Sequence, residues 1–79
     1  MSIRIQLFAA FADFTGTREF EFPYSAGLRC SDVWAEVSER FSSIAATRPL
    51  FARNDEYIRP ETELRDRDVL MIFPPVSGG

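Results

Sequence analysis

Apolar and polar residues alternate almost from the start of the chain, with Ile3, Ile5 and Leu7 on one side of an extended backbone and Arg4, Gln6 and Phe8 on the other. A period of two predicts a half-buried strand over residues 3–8, with Phe8 falling on the polar side. From Ala9 to Phe14 the apolar spacing shortens, and Gly16 follows, which predicts a brief helical turn before the chain reverses. Alternation resumes over Arg18 to Phe22, where Phe20 and Phe22 oppose Glu19 and Glu21, so the first two strands form a hairpin with a wide loop. Ser31 reads as an N-cap and Asp32 as an acidic residue favoured by the helix dipole. Val33, Trp34, Val37 and Phe41 then recur at three- and four-residue spacing, with Glu36 and Arg40 positioned to pair on the wet face. This is the one long helix, and Trp34 is assigned to its packing stripe.

Residues 42–49 show no clear period, and Pro49 disfavours helix just before it, so a loop is expected. Leu50 to Arg53 and Glu56 to Arg59 are short strands around Asn54-Asp55, two residues that tolerate unusual φ, and Pro60 closes the second. Asp66-Arg67-Asp68 marks another turn. Val69 to Phe73 is a continuous apolar run, expected of a central strand covered on both faces, and it stops at Pro74. The order strand, strand, helix, strands gives the α+β class, with one main helix covering a mixed sheet in the β-grasp arrangement. First and last strands lying parallel require a right-handed crossover through the helix. The boundaries expected are a domain over 1–73 and an extended tail over 74–79.

Composition narrows the function classes. A chain of 79 residues allows one small domain, which buries about 60% of its unfolded surface and leaves little room for an enclosed active site. Eight phenylalanines are ample for a core, and some of those rings must sit outside it. Histidine is absent, which removes the commonest general base and the commonest metal ligand. Cys30 is the single thiol and reads as a small apolar filler, so neither a metal site nor a cofactor held by this chain is expected. The net charge of −3, with scattered positive residues, argues against nucleic acid. No apolar stretch approaches a membrane span and no signal-peptide core precedes the first strand, so a soluble cytoplasmic protein is expected. All nine basic residues are arginine. Genome composition accounts for that, and so does the avoidance of amine nucleophiles by a protein with an activated carbonyl.

The tail carries the candidate chemistry. Phe73-Pro74-Pro75-Val76-Ser77-Gly78-Gly79 combines a rigid apolar stalk with a tip lacking side chains, and it is expected to end on the carboxylate of Gly79. Such a segment suits insertion into a narrow space. This ending resembles that of the molybdopterin synthase small subunits, ubiquitin-like sulfur carriers whose tail reads Phe-Pro-Pro-Val-Thr-Gly-Gly or close to it; Ser77 stands for the threonine. Leu7-Phe8-Ala9-Ala10 running into Phe14-Thr15-Gly16, Asn54, and the turn from Leu64 to Val69 are also similar to that family, whereas residues 24–50 match only in pattern.

The resemblance implies a non-catalytic carrier subunit whose active site lies on the large subunit. A ubiquitin-activator-like adenylating enzyme would use ATP to join AMP to Gly79, and a sulfur donor protein would replace the AMP to leave a thiocarboxylate. Gly79 would then carry sulfur to the pterin precursor, with Pro74, Pro75, Val76, Ser77 and Gly78 threading the large subunit. Strand parity places Phe8, Tyr57 and Phe73 on the uncovered sheet face as a partner-binding patch, and the family docks through apolar residues at matching positions. Two alternatives share the Gly-Gly ending: a ubiquitin-like modifier joined through Gly79 to lysines of other proteins, and a thiamine-type sulfur carrier. The Phe73 to Val76 run and residues 41–52 resemble the molybdenum branch more closely.

Overall fold

A computed structural model describes residues 1–75. Strand β1 (Ser2–Leu7) leads into the short helix α1 (Ala10–Thr15), and β2 (Glu19–Pro23) returns antiparallel beside β1. Helix α2 (Cys30–Arg40) follows, then a 3₁₀ turn at Ser42–Ile44, the hairpin of β3 (Leu50–Arg53) and β4 (Glu56–Ile58), and finally β5 (Val69–Phe73). The sheet order is β2-β1-β5-β3-β4, with β1 and β5 parallel, Arg4 opposite Val69 and Leu7 opposite Ile72. This mixed five-stranded sheet with one main helix is the β-grasp arrangement that the order of elements predicts.

Parity decides which side chains meet the helix. Ile3, Ile5 and Leu7 from β1, Leu70 and Ile72 from β5, and Phe22 and Phe51 from the flanking strands form the core with Val33, Val37 and Cys30 of α2. Burying each of the larger of these side chains contributes about 1.5–3 kcal/mol, which is how 79 residues sustain a fold. Phe11 of α1 joins the same core, whereas Phe14, three residues on, is 66% exposed.

Four local expectations are corrected. Ser31 is not the N-cap: α2 begins at Cys30, and the Asp32 carboxylate reaches back to accept the Arg29 N–H at 2.9 Å. The freed N–H groups of Cys30 and Ser31 donate to the carbonyls of Thr62 and Pro60, at 3.2 and 2.8 Å, so a distant loop satisfies the helix start. Arg40 does not pair with Glu36; its guanidinium lies 5.5 Å from the ring centroids of both Phe20 and Phe41. The stretch 42–49 is not loop throughout, since its 3₁₀ turn buries Ile44, and three residues are too few to show a period. Most consequential for function, β5 is covered on one face only. Leu70 and Ile72 are buried while Val69, Met71 and Phe73 are half-buried, because the single long helix lies on one side of the sheet.

The turn expectations hold. Asn54 and Asp55 adopt φ of 53° and 64°, the pairing suited to a two-residue hairpin, and Arg67 takes φ of 69° ahead of β5. The β4 strand ends at Ile58, one residue short of the expected Arg59.

Candidate functional site

The uncovered sheet face concentrates apolar groups at the end where β5 stops. Phe8 lies just beyond β1, and its N–H donates to the Ile72 carbonyl at 3.2 Å as the last rung between β1 and β5. Phe73 closes β5. The two rings stack with centroids 4.6 Å apart and planes 16° apart, and Tyr57 of β4 meets Phe73 edge-on at 6.3 Å and 62°. The three residues assigned by strand parity therefore form one cluster, outside the helix-covered core.

Register explains how Tyr57 reaches Phe73 across an intervening strand. Gln6, Met71, Ala52 and Tyr57 follow one another across the face, and Leu50 opposes Phe73 in the neighbouring rank. Ala52 is the small residue between Met71 and Tyr57, which opens the diagonal that an aromatic side chain can span. Tyr57 is 72% exposed and Leu50 38% exposed, whereas Phe8 and Phe73 shield one another and are half-buried. Leu50 and Met71 belong to this face and were missed by the sequence reading. The parity that identified Phe73 also marks Met71, and Leu50 shares its parity with Ala52.

Polar groups bound the patch on the β2 side. Glu19 accepts from Gln6 Nε2 at 3.1 Å and lies 3.5 Å from Arg4, which also approaches Glu21 at 4.0 Å. Beside Phe8 an open cleft of ≈460 Å³ runs past Ala9, Asp13, Arg18 and Glu19. An apolar centre with a charged rim is the anatomy of a protein-docking surface.

Pro74 is half-buried and Pro75 exposed, so the chain runs on from β5 directly beside the aromatic cluster. Val76, Ser77, Gly78 and Gly79 lie outside the described residues. Cys30 is fully buried, and burial pushes its thiol up from 9.0 to about 11, so it stays protonated and unreactive at neutral pH. Among the described residues no cluster of three or more His, Cys, Asp or Glu side chains is arranged to hold a metal ion, and no helix is long and apolar enough to cross a membrane.

Comparison with known proteins gives this geometry a family. A relative in Chlamydomonas reinhardtii, a molybdopterin synthase sulfur carrier subunit, is 31% identical over 83 aligned positions that span the whole of both chains. A solved structure from Pyrococcus furiosus, described as molybdopterin converting factor subunit 1, superposes with a TM-score of 0.83 at 27% identity, covering 96% of this chain and 99% of the other. The small archaeal modifier protein SAMP1 of Haloferax volcanii shares the fold alone, with a TM-score of 0.82 at 22% identity and full coverage of both chains. The model of the ThiS family matches residues 5–79, nearly the entire sequence and including the Gly-Gly ending, and the chain belongs to that family.

Proposed function

We propose that this chain is the sulfur-carrier subunit of a molybdopterin synthase, loaded at the carboxylate of Gly79. The observation that carries the reading is the Phe-Pro-Pro-Val-Ser-Gly-Gly sequence following the central strand beside an aromatic cluster on the uncovered sheet face. Relatives spanning the whole chain are sulfur carrier subunits, which supports it.

A carboxylate is a poor acyl donor because its oxygen is a poor leaving group. A ubiquitin-activator-like enzyme supplies a better one: the Gly79 carboxylate oxygen attacks the α-phosphorus of ATP, pyrophosphate leaves, and an acyl-adenylate forms. The persulfide of a sulfur donor protein then attacks the carbonyl carbon through its outer sulfur, AMP departs, and a thiol reduces the acyl disulfide so formed to free the thiocarboxylate. The thiocarboxylate sulfur attacks the pterin precursor in the large subunit, water hydrolyses the acyl–sulfur bond, and Gly79 returns as a carboxylate while the sulfur stays on the pterin, towards the dithiolene that holds molybdenum. ATP and any metal belong to the partners.

The chain's own task is delivery. Ordering the six residues 74–79 in a tunnel costs roughly 6–12 kcal/mol, less what the prolines have already restricted. Burial of Phe8, Leu50, Tyr57 and Phe73 against a partner offsets that cost, since aromatic anchors at the centre of an interface dominate its energetics. Gly78 and Gly79 keep the tip slim enough to pass.

Intact mass spectrometry tests the loading step. After co-expression with an adenylating enzyme and sulfur donor, the chain should exchange one oxygen for sulfur, localised to Gly79 by fragmentation. Its persistent absence while the adenylate forms would overturn the reading, and isopeptide adducts on many proteins would favour the modifier role instead.

A further inference from the structure

The tail leaves from the middle of the sheet, so β5 ends with a neighbour on each flank, β1 on one side and β3 on the other. Backbone groups of successive strand residues point to opposite neighbours. The carbonyls of Asp68 and Ile72 accept from the N–H groups of Arg4 and Phe8 at 2.9 and 3.2 Å, so even-numbered residues of this strand face β1. Odd-numbered ones face β3, where Met71 opposes Ala52 and Phe73 opposes Leu50.

Continuing each ladder by one rung shows what stops it. On the β1 side the next bond would run from the N–H of residue 74 to the Phe8 carbonyl. Residue 74 is proline and has no N–H, while the Phe8 carbonyl, which accepts from Phe11 at 3.1 Å, keeps a second lone pair for such a donor. On the β3 side, two residues past the Leu50–Phe73 pair, the next bond would run from residue 75 to the Arg48 carbonyl. Residue 75 is also proline.

We propose that Pro74 and Pro75 form a two-sided strand stop, Pro74 ending the ladder to β1 and Pro75 ending the ladder to β3. A single proline would close one flank and leave the other free to zip. The pair keeps the chain after Phe73 from adding to its own sheet and leaves it available to a partner's cleft, a role that rests on the sulfur-carrier reading, whereas the ladder geometry does not. Both prolines are thus positioning residues for tail delivery, in addition to stiffening it.

Amide hydrogen exchange and cross-strand NOEs on the isotopically labelled full chain test the stop. Pro75→Ala should gain a protected amide at position 75 with contacts to Arg48, Pro74→Ala should gain contacts to Phe8 alone, and the double variant should gain both. Sulfur transfer from the thiocarboxylated double variant within the assembled synthase should slow by about tenfold or more, because added rungs shift the tail toward the sheet. Freely exchanging amides at positions 74 and 75 in the double variant, or one substitution extending both ladders, would show the strand stop to be wrong. Extended ladders with undiminished transfer would overturn its part in delivery. A wild-type chain that never accepts sulfur would sink the carrier reading, while the amide measurements would still decide the stop.

Discussion

Ala9 holds φ of 53° and ψ of −131°, a conformation that glycine accepts freely and a residue with a Cβ does not. The topology demands it: the Phe8 N–H is the last rung to β5, and the Phe8 carbonyl already opens α1 by accepting from Phe11. The chain must leave the sheet within one residue. Ala9→Gly should therefore raise unfolding stability by about 1 kcal/mol, strain relief outweighing the entropy of a freer unfolded chain. Denaturant titration reads this out, and a loss of stability would mean that the Ala9 Cβ packs usefully. Phe8→Asp addresses recognition at the same scale. Losing the stack on Phe73 should cost the fold about 1 kcal/mol. Losing a central aromatic anchor should weaken docking to the large subunit by about 2 kcal/mol or more, measured by calorimetry.

Among the elements, the segment between β4 and β5 has little regular structure, and side chains help tie it to the sheet: Asp66 Oδ1 accepts the Ser2 N–H at 3.1 Å, and a more sheltered clasp forms around Arg53. Arg53 at the end of β3 donates through Nη1 to the Glu63 carbonyl at 3.0 Å and to Asp68 Oδ2 at 3.2 Å, and the same oxygen accepts the Arg65 N–H at 2.8 Å. Both side chains are mostly sheltered, 20% and 15% exposed. Asp68→Ala should cost about 2–3 kcal/mol, because it strands a sheltered guanidinium and a backbone donor together; a thermal melt within error of wild type would refute the clasp. No periodicity announces such a long-range pair, which is why the sequence did not reveal it. Alternation in β1 and β2, the stripe of α2 and the Asn54-Asp55 turn were legible because each is fixed by neighbouring residues. The cap of α2 is not legible in the sequence because its orphan donors are met by Pro60 and Thr62, some thirty residues away, while Ser31 carries cap chemistry two positions past the cap residue Arg29. The apolar run of β5 suggested cover on both faces. The outer half of that run instead builds the aromatic patch with Phe8 and Tyr57, which parity alone had located.

At the scale of the molecule, the two faces of one sheet divide the work: one packs the helix and sustains the fold, and the other presents Phe8, Leu50, Tyr57 and Phe73. Parallel pairing of β1 with β5 brings Phe8 and the end of β5 to the same end of the sheet, so on the sulfur-carrier proposal docking and tail insertion would be coupled. On that proposal the activating enzyme and the large subunit take the same tail, so they should compete for a single chain. Native mass spectrometry of the three components should show two binary assemblies and no ternary one. A ternary complex holding one carrier chain would contradict the shared surface.

The sulfur-carrier role is tested most directly by a single-turnover reaction of the purified thiocarboxylated chain with the large subunit and the pterin precursor. Gly79 should revert to a carboxylate as the dithiolene product appears, with sulfur lost from the carrier matching sulfur gained by the pterin. Sulfur retained on Gly79, or the tail recovered in isopeptide linkage to another protein, would contradict it.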